Sequence, residues 1–62
     1  MWNGLVTDEV NELFQRYAEQ HNGADPDEYD DIFYNDLSYD EFVGYIRKCL
    51  ETGLAMPYVI ED

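Results

Sequence analysis

His21 and Cys49 are the sole imidazole and the sole thiol in the 62-residue chain, so together they are the first candidates for nucleophilic chemistry. Such chemistry needs the thiol ionised beside the imidazole. The pattern argues against it. Cys49 lies mid-face on an amphipathic stretch with Phe42 and Ile46, where burial would raise the thiol pKa and blunt its reactivity. His21 sits at the C-terminal end of a different apolar arc, where an imidazolium suits the helix dipole, so it reads as a capping or partly buried structural residue. One Cys and one His assemble neither a disulfide framework nor a zinc site within a single chain. Adjacent carboxylates, Asp30-Asp31 and Asp40-Glu41, are the other candidates. General acid-base work needs two carboxyls in unlike environments inside a cleft, which solvated helix faces do not provide. No catalytic residue, cofactor or metal is assigned, and the chain is expected not to be an enzyme.

The run Leu37-Ser38-Tyr39-Asp40-Glu41-Phe42 resembles the end of an EF-hand calcium loop and the start of its exit helix, with Asp30 at loop position one and Glu41 at position twelve. Between them the ligand pattern departs. Positions three and five, which supply oxygens in that family, hold Ile32 and Tyr34, and the glycine of position six is Asn35. The incoming helix would also be interrupted at Gly23 and Pro26. The stretch is therefore read as an ordinary helix start.

Charge carries the main functional expectation. Fifteen Asp and Glu face three Lys and Arg, a formal net charge of -12. Residues 25 to 41 hold Asp25, Asp27, Glu28, Asp30, Asp31, Asp36, Asp40 and Glu41, and no Lys or Arg lies between Arg16 and Arg47. A run of charge usually marks a solvated face, but a net charge of about 2 to 8 already keeps a small domain soluble. The excess points to cations supplied by a partner. Were residues 25 to 41 helical, they would place one carboxylate per about 3 Å, close to the one phosphate per about 3.4 Å of a nucleic-acid strand. The expectation is a non-enzymatic acidic protein that occupies a basic groove of a nucleic-acid-binding protein or nuclease, in the manner of DNA-mimicking inhibitors and immunity proteins of phages and mobile elements. Its partner-binding residues are expected to be Asp27, Glu28, Asp30, Asp31, Asp36, Asp40 and Glu41, with Tyr34 as an exposed aromatic anchor and Trp2 similarly exposed. Direct nucleic-acid binding is not expected from a chain of this sign. The alternative is a small assembly module that forms a homodimer or joins a complex through Trp2, Val59 and Ile60, its acidity incidental.

These residues must be positioned by a small core. A hydrophobic share of 45% and an aromatic share of 16% exclude a disordered acidic tail, and 62 residues suffice for one domain, spanning 1–62. The spacing of Val10, Leu13, Phe14, Tyr17 and Ala18 predicts a helix over 7–21, capped by Thr7, with a Glu12–Arg16 pair outside and a left-handed exit at Gly23. Asp25, Pro26 and Glu28 predict a short second helix ending near Asn35, with Tyr29, Ile32 and Phe33 inward. Ser38 and Glu41 make a capping box for a third helix from Tyr39, lined by Phe42, Tyr45, Ile46, Cys49 and Leu50 and stopped at Gly53. Residues 55 to 60, broken by Pro57, predict an extended tail. The fold class is thus a small all-α three-helix domain with a C-terminal extended tail. Neither a signal peptide nor a membrane span is read from the sequence, and a cytoplasmic location is expected.

Overall fold

The computed structural model describes residues 2–30 and 32–60; Asp31, one of the expected partner-binding residues, lies outside the described residues. Among the described residues there are three α-helices and no strand. Helix α1 spans Asp8–Gln20 and begins where Thr7 Oγ1 accepts the Val10 N–H at 3.2 Å. Its end is closed by Asn22 and Gly23, both at positive φ, as the Gly23 N–H donates to the Ala18 carbonyl at 2.7 Å. Helix α2 spans Tyr39–Thr52. Its capping box is complete, with Ser38 and Glu41 each accepting the other's backbone N–H, and Gly53 at φ 82° stops it.

Helix α3, Met56–Ile60, replaces the expected extended tail. Pro57 reads in the sequence as a breaker, yet it falls in the first turn, where the missing N–H would have had no intrahelical partner. The Met56 N–H instead donates to the Tyr17 hydroxyl at 3.1 Å, fixing α3 to α1.

The expected second helix does not form either. Among the described residues, 25 to 30 and 32 to 33 form no helix, only turns at 26, 27 and 30, a bend at Ile32 and irregular backbone, followed by a single 3-10 turn at Tyr34–Asp36. Half of the anticipated capping box exists, since the Asp25 N–H donates to Glu28 Oε2 at 3.2 Å. The ladder beyond it is pre-empted by a side chain. The Tyr34 hydroxyl donates to the Pro26 carbonyl at 2.7 Å and accepts the Tyr29 N–H at 3.3 Å, taking two backbone groups that a helix would have paired with backbone.

Helix α1 packs on α2, and α2 on α3. The core joins Val10, Leu13 and Tyr17 of α1, Phe42, Val43, Ile46 and Cys49 of α2, Met56 and Val59 of α3, and Trp2 and Tyr34 from the connecting segments. Phe42 is its aromatic centre. Trp2 stacks on it at 4.2 Å between centroids, and the Phe14 and Tyr34 rings meet it edge-on at 5.9 and 6.0 Å. Trp2 is therefore core, contrary to the expectation of exposure, and a side chain at Gly4 would run into its indole. Val59, expected on an apolar outer surface, is buried as well, and Ile60 is half-buried against the core. Among the described residues no helix is long and apolar enough to cross a membrane.

Candidate partner-binding surface

Asp40 and Glu41 stand in the first turn of α2, but the part of the carboxylate segment before it is held by tyrosine, not by α-helical hydrogen bonding. Tyr34, expected to be an exposed anchor, is 2% exposed and has both hydroxyl functions used within the segment. Its neighbours in sequence divide: Ile32 packs against the core, whereas Phe33, expected to face inward, is 73% exposed. The 3-10 turn explains the inversion. A helix would have set Tyr29, Ile32 and Phe33 on one arc, but the turn buries Tyr34 and leaves the Phe33 side chain outside. Burial pushes the Tyr34 hydroxyl well above the ordinary phenol range, helped by the nearby Asp27 and Glu28 charges and opposed by the Tyr29 N–H, so it stays protonated and donating at neutral pH.

The acidic side chains divide by what already holds them. Asp27 is half-buried and accepts the Trp2 backbone N–H at 3.1 Å, strapping the N-terminal segment down. Glu28 and Glu41 accept the Asp25 and Ser38 backbone N–H groups. Asp30, Asp36 and Asp40 are exposed and, among the described residues, accept no hydrogen bond. The sequence comparison with strand phosphates assumed a helical rod over residues 25 to 41; the observed turns remove that regular spacing.

Both arginines are engaged elsewhere. Arg16 pairs with Glu12 at 2.8 Å, as its i, i+4 spacing predicted. Arg47 of α2 reaches across to Glu9 of α1 at 2.5 Å. The other oxygen of Glu9 accepts the Tyr39 hydroxyl at 2.9 Å, which lies 2.7 Å from Thr7 Oγ1. Because the phenol proton goes to the carboxylate, the Thr7 hydroxyl donates to Tyr39 while accepting the Val10 N–H. The two ion pairs lie in an open groove of about 570 Å³ between α1 and α2, lined by Asp8, Glu9, Glu12, Leu13, Arg16, Arg47 and Leu50. Both arginines are thus engaged with α1, and among the described residues no ion pair reaches residues 25 to 41.

Cys49 is fully buried, and desolvation pushes its thiol up to about 11, as core placement predicts. His21 occupies the C-cap of α1 and lies over the Tyr17 ring at 4.2 Å, its Nε2 buried without a hydrogen-bond partner. Tyr17 in turn is within 2.6 Å of the Tyr29 hydroxyl, so a second tyrosine ties the acidic segment to α1. Among the described residues no group of three or more His, Cys, Asp or Glu side chains is arranged to hold a metal ion. What the sequence reading missed is Phe33, because its exposure depends on a turn that the capping signals at Asp25 and Glu28 argued against. No protein-family model, curated protein or solved structure matches the chain.

Proposed function

We propose that the chain is a non-enzymatic acidic binding protein whose residues 25 to 41 occupy a basic groove on a nucleic-acid-binding protein or nuclease. One observation carries the reading: Arg16 and Arg47 are paired with Glu12 and Glu9, while Asp30, Asp36 and Asp40 are exposed with no cation of the described residues beside them. Carboxylates left in this condition gain most from Lys and Arg supplied across an interface, where a groove that holds phosphates offers the same charge-assisted donors. Asp27, Glu28 and Glu41 contribute field more than direct contact, since each already accepts a backbone N–H.

The rival reading, an assembly module or homodimer, loses Trp2 and Val59 to the core but finds Leu5, Val6 and Tyr58 exposed. Salt separates the two. Proteins captured on the immobilised chain at about 50 mM salt should be released at about 300 mM, and also by an added oligonucleotide competing for their groove. Retention under both treatments would contradict the acidic reading and favour apolar association.

A further inference from the structure

Phe33 is the most exposed of the large hydrophobic side chains that face solvent among the described residues, and the one that lies within residues 25 to 41. Its backbone is fixed. The Phe33 carbonyl accepts the Asp36 N–H at 3.0 Å, Ile32 before it packs on the core, and Tyr34 after it is buried with its hydroxyl doubly bonded. An aromatic ring on a rigid support loses little freedom on binding, which is the condition of an interface anchor. Asp30 and Asp36, both exposed, lie three residues to either side.

Resting on the acidic reading above, we propose that Phe33 fills the place of an unstacked base, so that the partner is a groove for single-stranded nucleic acid. Such grooves combine Lys and Arg for the backbone with aromatic platforms on which bases stack, a sequence-tolerant contact that a phenyl ring can also make. A groove that reads duplex by its phosphates alone has no use for an exposed phenyl ring. The complementarity is therefore double: carboxylates for phosphates, and Phe33 for a base.

The test uses two labelled peptides of equal charge, one alternating Lys with Ala and one with Trp in place of some Ala, titrated by fluorescence anisotropy. The wild-type chain should prefer the Trp peptide by about tenfold. Phe33→Ser should bring the two affinities together while leaving the melting curve and the salt dependence unchanged; Tyr58→Ser, at an exposed aromatic on α3, should leave the preference intact. Equal binding of both peptides by the wild type, or a preference that survives Phe33→Ser, would overturn the assignment. Weak binding with no salt dependence would instead remove the acidic reading on which it rests.

Discussion

The α1–α2 frame and the segment between its helices, residues 25 to 36, meet the same shortage of positive charge in different ways. In the frame, Glu9 and Glu12 are answered by Arg47 and Arg16, and Glu9 also receives the Tyr39 hydroxyl, while Asp8, Glu19, Asp40 and Glu51 make no ion pair among the described residues. In the segment, Asp27 and Glu28 are answered by backbone N–H groups, while Asp30 and Asp36 are left to solvent. Helical hydrogen bonding holds the frame; the Tyr34 and Tyr29 hydroxyls hold the segment. The difference is that Asp27 and Glu28 are bound into the backbone of the segment, while Asp30 and Asp36 take no part in shaping it and are free to respond to something outside.

The severest way to break the comparison is to remove the support of the segment. Tyr34→Ala should cost about 3–5 kcal/mol. Against a total stability of roughly 0.05–0.15 kcal/mol per residue, that is enough to leave much of the chain unfolded. Tyr34→Phe keeps the ring against Phe42 but strands the Pro26 carbonyl and the Tyr29 N–H, for a loss of about 1–3 kcal/mol by thermal melting. If Tyr34→Phe melts as the wild type does, the hydroxyl does not hold the segment.

Alkaline titration sharpens the same contrast, because Tyr17 supports the frame and Tyr34 the segment. Burial is the largest cause of the raised pKa of each, so the folded state keeps both protons where the unfolded chain, with its ordinary phenol value of 10.0, has begun to lose them. The unfolded state then binds fewer protons than the native state, and stability falls as pH rises. Stability should hold below about pH 9, begin to decline above it through the buried Cys49 thiol, whose ordinary value is 9.0, and fall more steeply above about pH 10. Two of the six tyrosines should ionise only as the chain unfolds, seen as a step in the ultraviolet difference spectrum that coincides with loss of helical circular dichroism. Six smooth and equivalent ionisations would contradict the burial of both rings.

Much of the frame was legible in the sequence because its signals are local. Thr7, Ser38, Glu41 and Gly53 act within a few residues of themselves, and helical spacing placed Val10, Leu13, Tyr17, Phe42, Ile46 and Cys49 in the core. The segment was not legible for the complementary reason. Asp25, Pro26 and Glu28 are sound helix-start signals, overridden by a side chain eight residues after Pro26 whose hydroxyl takes the backbone groups the helix needed. Helix α3 was missed because Pro57 ends a helix in most positions and is tolerated in the first turn. At the candidate surface, the acidic residues were found by counting, and their division into held and free needed coordinates. Tyr34 was placed outside by the helical arc expected for Tyr29, Ile32 and Phe33, and Trp2 because no periodic pattern claimed it, whereas ring packing on Phe42 buries both.

Two double variants of equal charge test the central claim most directly: Asp30→Asn with Asp36→Asn in the segment, and Glu9→Gln with Glu12→Gln in the frame. Each removes two negative charges, and affinity for the Lys–Ala peptide is measured across a range of salt. The segment pair should weaken binding about tenfold and flatten its salt dependence with the melting temperature unchanged or raised, whereas the frame pair should weaken binding far less. Equal losses from the two pairs would mean that only total charge matters, and that residues 25 to 41 are no more a binding surface than the rest of the molecule.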